Sequence, residues 1–213
     1  MTASDAAQLE LSLPEQVQLY RSRSDGHVDF GNFDVSAAAL IELALARRVA
    51  ARFGKLGPAW TMKLHVIDPR ATGDPVVDGA LRALAGRSGP RSALRNITSL
   101  AAATVDATVR ALEARGVVRT VGRRGKPGAH LIILDPDTQR RVTGHLNTAL
   151  LNPKTVVDPR VGALADIRVR SGGPWVQNDP NLDEFVGPWY AADVRETVND
   201  IVHGLNAATA DGV

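Results

Sequence analysis

The sequence predicts a mainly α chain: a single globular helical domain with a short strand near 60–67 and a β-hairpin near 117–134. Three observations carry that prediction. Aromatic residues make up only 4% of the chain, so its core must be built from Ala, Leu, Val and Ile. Alanine packs helices closely and is the best helix former. Second, Val35 to Phe53 reads VSAAALIELALARRVAARF, and its first half is apolar on nearly every face. A helix with that pattern is central and buried. Third, strict alternation is confined to one short run, Trp60 to Val66, and two further short strand-like runs flank a Gly-rich basic turn.

The elements follow in order. Ser12-Leu-Pro-Glu15 has a capping Ser, a Pro suited to a first turn and an acid three residues after the Ser. It predicts a helix from about Leu13 to Tyr20, and Asp25-Gly26 then marks a turn. The central helix is expected over Val35 to Phe53, with Arg47, Arg48 and Arg52 at its C-terminal end and Gly54 as its stop. Trp60, Met62, Leu64 and Val66 alternate with Thr61, Lys63 and His65 in a half-buried strand. Asp74-Pro75 starts a helix that runs to about Ala85. Ser92 to Leu100 and Thr104 to Arg115 read as two helices, stopped at Gly116. Val117 to Val121 and Ala129 to Leu134 are strands, joined by Gly122-Arg-Arg-Gly-Lys-Pro-Gly128. Asp135-Pro136 begins a helix of about 137–151, and a linker over 152–159 comes next. Residues 160–170 fit helix or extended chain equally. Ser171 to Tyr190 reads as an irregular loop carrying Trp175, Trp189 and Tyr190, and Ala191 to Leu205 as an amphipathic helix. The domain is expected to span 9–205, with flexible tails at 1–8 and 206–213.

Several function classes find no support. There is no cysteine, hence no disulfide, thiolate zinc site or Cys nucleophile. No two of His27, His65, His130, His145 and His203 have the i,i+4 spacing of a helical zinc site. No Ser elbow and no Walker-type phosphate loop occurs. Asp74 and Asp78 lie one turn apart and read as a helix cap and a surface acid, not a catalytic pair. No enzyme activity, metal or cofactor is therefore expected. The residues Met1 to Gln8 are small and polar with an acid at Asp5, unlike a secretory leader, and the longest apolar run, Ala37 to Ala46, is too short to span a bilayer.

Two charged features stand out. Glu42 is the one charge between Val35 and Ala46, and a buried carboxylate must be paired or protonated. Its expected partner is an Arg from another helix. The hairpin tip carries Arg123, Arg124 and Lys126, with Arg119 on the strand before it. These four residues are the candidate anion-binding site. The order helix, break, helix, strand, basic turn, strand over 92–134 is also that of a winged helix, with Thr104 to Arg115 as recognition helix. Thr104, Asp106, Thr108 and Arg110 make a poor major-groove face, which places nucleic acid second. Trp175, Trp189 and Tyr190 read as rings that cover a core edge, with a membrane-interface role as the other reading.

A family resemblance rests on particular stretches. Leu11-Ser-Leu-Pro-Glu15, Leu40-Ile-Glu-Leu-Ala-Leu45, Ala71-Thr-Gly-Asp-Pro-Val-Val-Asp-Gly-Ala-Leu81 and Leu112-Glu-Ala-Arg-Gly-Val117 occur in this order. Together they resemble the Golgi phosphoprotein 3-like family over about 11–150, most specifically in Thr72-Gly-Asp74…Asp78. The resemblance implies one mainly helical domain with small hairpins. It also implies a non-enzymatic, peripheral membrane protein of the kind that binds phosphatidylinositol 4-phosphate and retains membrane enzymes. The relatives' lipid pocket uses a Trp and three Arg. Those positions fall near His27, at Ser36, and near Ala102 and Val105, none of which can grip a phosphate with a permanent charge. The expectation is a cytoplasmic protein, peripheral on the cytosolic membrane face, with altered or lost head-group specificity. Its expected partners are anionic lipid head groups first, membrane-protein tails next and nucleic acid last.

Overall fold

Helix α2, Phe33–Leu45, is the axis of the molecule. Every residue from Asp34 to Ala44 is buried, as its all-round apolar sequence requires. The chain was described from a computed structural model that covers residues 11–21, 27–28, 33–56, 59–123, 126, 128–171 and 189–210. Among these residues it is mainly α: seven α-helices, one 3₁₀ turn and two small antiparallel sheets. Around α2 pack α1 (Leu13–Tyr20), α3 (Pro75–Ala85), α4 (Ala93–Ala114), α6 (Pro159–Ser171) and α7 (Ala192–Ala210). Helix α5 (Pro136–Leu151) closes the side formed by α1 and α6 and leads into the 3₁₀ turn Pro153–Thr155. One sheet is the hairpin of β2 (Val49–Leu56) and β3 (Ala59–Val66). The other has the order β1 (His27–Val28), β5 (His130–Ile133), β4 (Val118–Val121).

Local chemistry explains most boundaries. Glu15 Oε2 accepts from the Ser12 backbone N (2.9 Å) and from Ser12 Oγ (3.1 Å), the backward reach of a capping box. Asp74 Oδ1 accepts from Val76 N (2.9 Å) and Val77 N (2.8 Å) and starts α3, with Pro75 in the first turn. Asp135 does the same for α5 through Asp137 N and Thr138 N.

Three expectations need correction and one open segment is decided. The central helix does not run to Phe53. It ends at Leu45, the chain turns through Arg47 at φ 55°, and Val49 begins β2. Alanine-rich sequence hid a period of two: Val49 and Ala51 are buried while Arg52 is exposed, and the strand pairs along its whole length with β3. Arg47, Arg48 and Arg52 therefore do not cap a helix, and Gly54 lies inside a strand. Nor are there two helices over 92–115. α4 is one helix of 22 residues, because Ala101, Ala102 and Ala103 give no reason to stop and the buried stripe Ile97, Leu100, Thr104, Thr108, Leu112 is unbroken. The undecided segment at 160–170 is helical. The last helix continues to Ala210 instead of fraying after Asn206, since Ala208 is buried against the core.

The expected loop 171–190 falls largely outside the described residues, Trp175 included. Trp189 and Tyr190 at its end are buried, which fits rings covering a core edge. Trp189 lies over Gly162 of α6, where a Cβ would meet its ring at 2.5 Å, and donates to the Pro153 carbonyl at 2.8 Å.

Candidate anion-binding surface

The basic hairpin is built by glycines and anchored by two apolar residues. Gly122 (φ 80°) and Gly128 (φ 81°) take left-handed conformations on either side of the tip. Lys126 N donates to Arg123 O (3.0 Å) and Ala129 N to Lys126 O (3.1 Å). Register pairs Val118 with Ile133, Arg119 with Ile132, Thr120 with Leu131 and Val121 with His130. Val118 and Leu131 are buried and fix one face of the sheet on the core. Glu113 of α4 accepts from Thr120 N at 2.9 Å and holds β4 against the helix.

Arg119, Arg123 and Lys126 are exposed, and none of them is ion-paired to another described residue. Arg124 lies outside the described residues. Arg119 lies opposite Ile132, which on its other side pairs with His27. The tip thus continues a sheet face carrying Arg119, with cations beyond it and no acid between Gly116 and Leu134.

A wider charge pattern was not foreseen. Gly79 to Leu134 holds ten Arg and Lys against Asp106 and Glu113, so this stretch carries +8 in a chain whose total is +2. Arg82, Arg87, Arg91, Arg95 and Arg110 belong to it. Arg87 is held by neutral groups, Asn96 Oδ1 and Ser99 Oγ (2.7 Å). Burial and the neighbouring Arg91 both push its pKa down. Counting sign by segment, rather than over the whole chain, is the sequence signal that would have found this.

Four acids elsewhere are used by the fold. Glu42 Oε1 takes Arg160 Nε at 2.7 Å, and Oε2 takes Leu13 N at 3.1 Å. Its partner is an Arg of another helix, as a lone charge in an apolar helix demands. Asp78 is buried, not a surface acid. It accepts from Thr72 N (2.6 Å), Thr72 Oγ1 (2.8 Å) and Gly73 N (3.2 Å), with Gly73 at φ 95°. Burial pushes its pKa up, but those three bonds prevail and hold it below the usual carboxylate range. Asp74 caps α3. The pair therefore folds the turn. Glu15 is buried beside Arg115 Nε at 3.1 Å, and burial raises its pKa despite Ser12 and Arg115. No group of three or more acids or histidines able to hold a metal occurs among the described residues.

A family model described as Golgi phosphoprotein 3 (GPP34) matches residues 21–201. The chain belongs to that family. A search among curated proteins gives no match. In this GPP34 protein the positions that the resemblance assigns to a lipid pocket are put to other use. Ser36 is fully buried and its hydroxyl reaches Phe33 O and Ile97 O, both at 2.9 Å, which ties α2 to α4. Val105 is buried in the seam and Ala102 is exposed on α4.

Proposed function

We propose that this GPP34 protein is a non-enzymatic, peripheral membrane protein that attracts anionic lipid head groups through Arg119, Arg123, Arg124 and Lys126. The observation that carries the reading is the segregation of charge: +8 between Gly79 and Leu134 in a chain of +2, with the hairpin tip free of acids. Each basic residue near an anionic surface contributes on the order of 1 kcal/mol, and the attraction fades within a Debye length. No described helix is long and apolar enough to cross a membrane, so attachment by this route is to the surface. The lack of an Arg at Ser36, Ala102 and Val105 favours diffuse attraction over a stereospecific grip on one inositol phosphate. Membrane-protein tails are the second class of partner this reading admits, at the cytosolic face.

Flotation with phosphatidylcholine–phosphatidylserine vesicles tests it. Binding should be present at low salt, weaken as salt rises, and fall on the order of tenfold or more when the four cations become Ala. Failure to float at low salt overturns it. Nucleic acid is the other possible owner of the cations, although the single long α4, with Thr104 and Thr108 buried, supplies no separate recognition helix. A mobility shift lost in Arg123→Ala/Arg124→Ala, with no vesicle binding, would transfer the site to nucleic acid.

A further inference from the structure

Helices α3 and α4 leave an open groove between them. Arg87, just past the end of α3, donates to Asn96 Oδ1 and to Ser99 Oγ (2.7 Å) near the start of α4, so the two helices run antiparallel. The groove has a volume of about 500 Å³ and follows α4 from Leu100 to Ala111, about three turns or ~16 Å. Its walls are short: Gly79 and Ala83 on α3, and Ala103, Ala107 and Ala111 on α4, spaced one turn apart on each helix. Ala83 and Ala103 are exposed. With no long side chain on these walls, a third helix can set its own side chains between the two.

The groove also holds polar groups that nothing in the fold uses. Thr104 is 4% exposed and lines the groove, and its hydroxyl takes part in no hydrogen bond with a described residue. A buried hydroxyl left without a partner is costly, and a ligand that bonds it removes that penalty. Arg82 of α3 and Arg110 of α4 line the groove too, both exposed and neither ion-paired to a described residue. Asp78, one turn before Arg82, already accepts from Thr72 and Gly73. No acid lines the groove among the described residues. Because the helices are antiparallel, Arg82 and Arg110 stand at opposite ends, about two turns apart along the axis. An acyl chain has one charged end and would leave Thr104 unbonded. A helix can offer carboxylates two turns apart on one face, with a polar side chain between them.

We propose that the α3–α4 groove receives one helix of an acidic partner protein, about three turns long, with carboxylates placed for Arg82 and Arg110 and a polar side chain between them for Thr104. This site stands apart from the lipid reading, whose cations lie on β4 and the β4–β5 tip. The probe is a fluorescein-labelled, alanine-rich helical peptide of about four turns, with two glutamates two turns apart and a glutamine midway. Its anisotropy should rise and saturate as the full chain is added, and a version with lysine for glutamate should not bind. Arg82→Ala with Arg110→Ala should weaken binding on the order of fivefold, an effect that shrinks as salt rises. Thr104→Val should weaken the glutamine peptide by about as much, yet leave unchanged a version with leucine for glutamine. The free chain should lose no thermal stability with Thr104→Val, since no bond is broken. Ala103→Phe, at an exposed position, should fill the groove and block the peptide.

No change in anisotropy with the glutamate peptide overturns the inference. Equal binding of the lysine peptide does so as well, as does an effect of Thr104→Val that ignores the glutamine. If Arg82→Ala with Arg110→Ala spares the peptide but abolishes flotation with phosphatidylcholine–phosphatidylserine vesicles, the two cations serve the lipid surface and the inference falls while the lipid reading stands. If Ala103→Phe dissolves a dimer of the free chain, the occupant is a second copy and the inference again falls.

Discussion

Asp166 shows how much a single residue can hide from sequence. It lies in α6, in the stretch that fitted helix or extended chain equally, and nothing in its neighbours announces burial. In the structure its Oδ2 accepts from Tyr190 Oη at 2.6 Å, while Oδ1 is buried without a hydrogen bond. Burial pushes its pKa up to about 7, against the Tyr190 bond and the Arg170 charge, which pull the other way. An acid whose pKa is higher folded than unfolded binds its proton more tightly in the folded state. Its contribution is therefore fully present below the ordinary carboxylate value and is lost as pH rises toward about 7. Denaturant unfolding across that window should show stability falling with pH, and Asp166→Asn should flatten the slope. A slope unchanged by the substitution would show that Asp166 is not its source. Glu42, by contrast, was legible. One charge in an apolar helix must find a partner, and Arg160 supplies it. Asp78 was not, because its burial depends on a turn that folds back over six residues.

At the scale of elements, sequence was a good guide wherever a cap or a stop had a chemical signature. Ser12, Asp74 and Asp135 each start the helix they were expected to start, and the β4–β5 hairpin forms around its glycines. It misled where alanine dominated. Alanine favours helix but tolerates a strand, so the switch at Arg47 left only the alternation of Val49 and Ala51 as a signal. The break expected between Leu100 and Thr104 does not exist either. The continuity of α4 has a measurable consequence at exposed Ala102. Ala102→Pro should cost about 3 kcal/mol or more, and Ala102→Gly about 1 kcal/mol, in denaturant unfolding. A loop at this place would accept both changes nearly without cost.

At the scale of the molecule, the helical core was legible and the surface was not, because a net charge averages away its own distribution. The +8 of Gly79 to Leu134 is offset by an excess of acids elsewhere, so salt should affect vesicle binding far more than the total of +2 suggests. The contact of Trp189 with Gly162 joins three pieces of chain: the 3₁₀ turn through Pro153 O, α6 through its glycine, and the entry to α7 through the ring itself. Any side chain at 162 must expel the indole, so Gly162→Ala should loosen this junction and lower the melting temperature, with the tryptophan emission moving to the red. A melting temperature equal to that of the unsubstituted chain would show that the indole can be displaced without cost. With Trp60 and Trp175 replaced by Phe, the protein carries its own optical gauge: the colour of the one remaining indole reports whether its last helix is seated, with no dye attached.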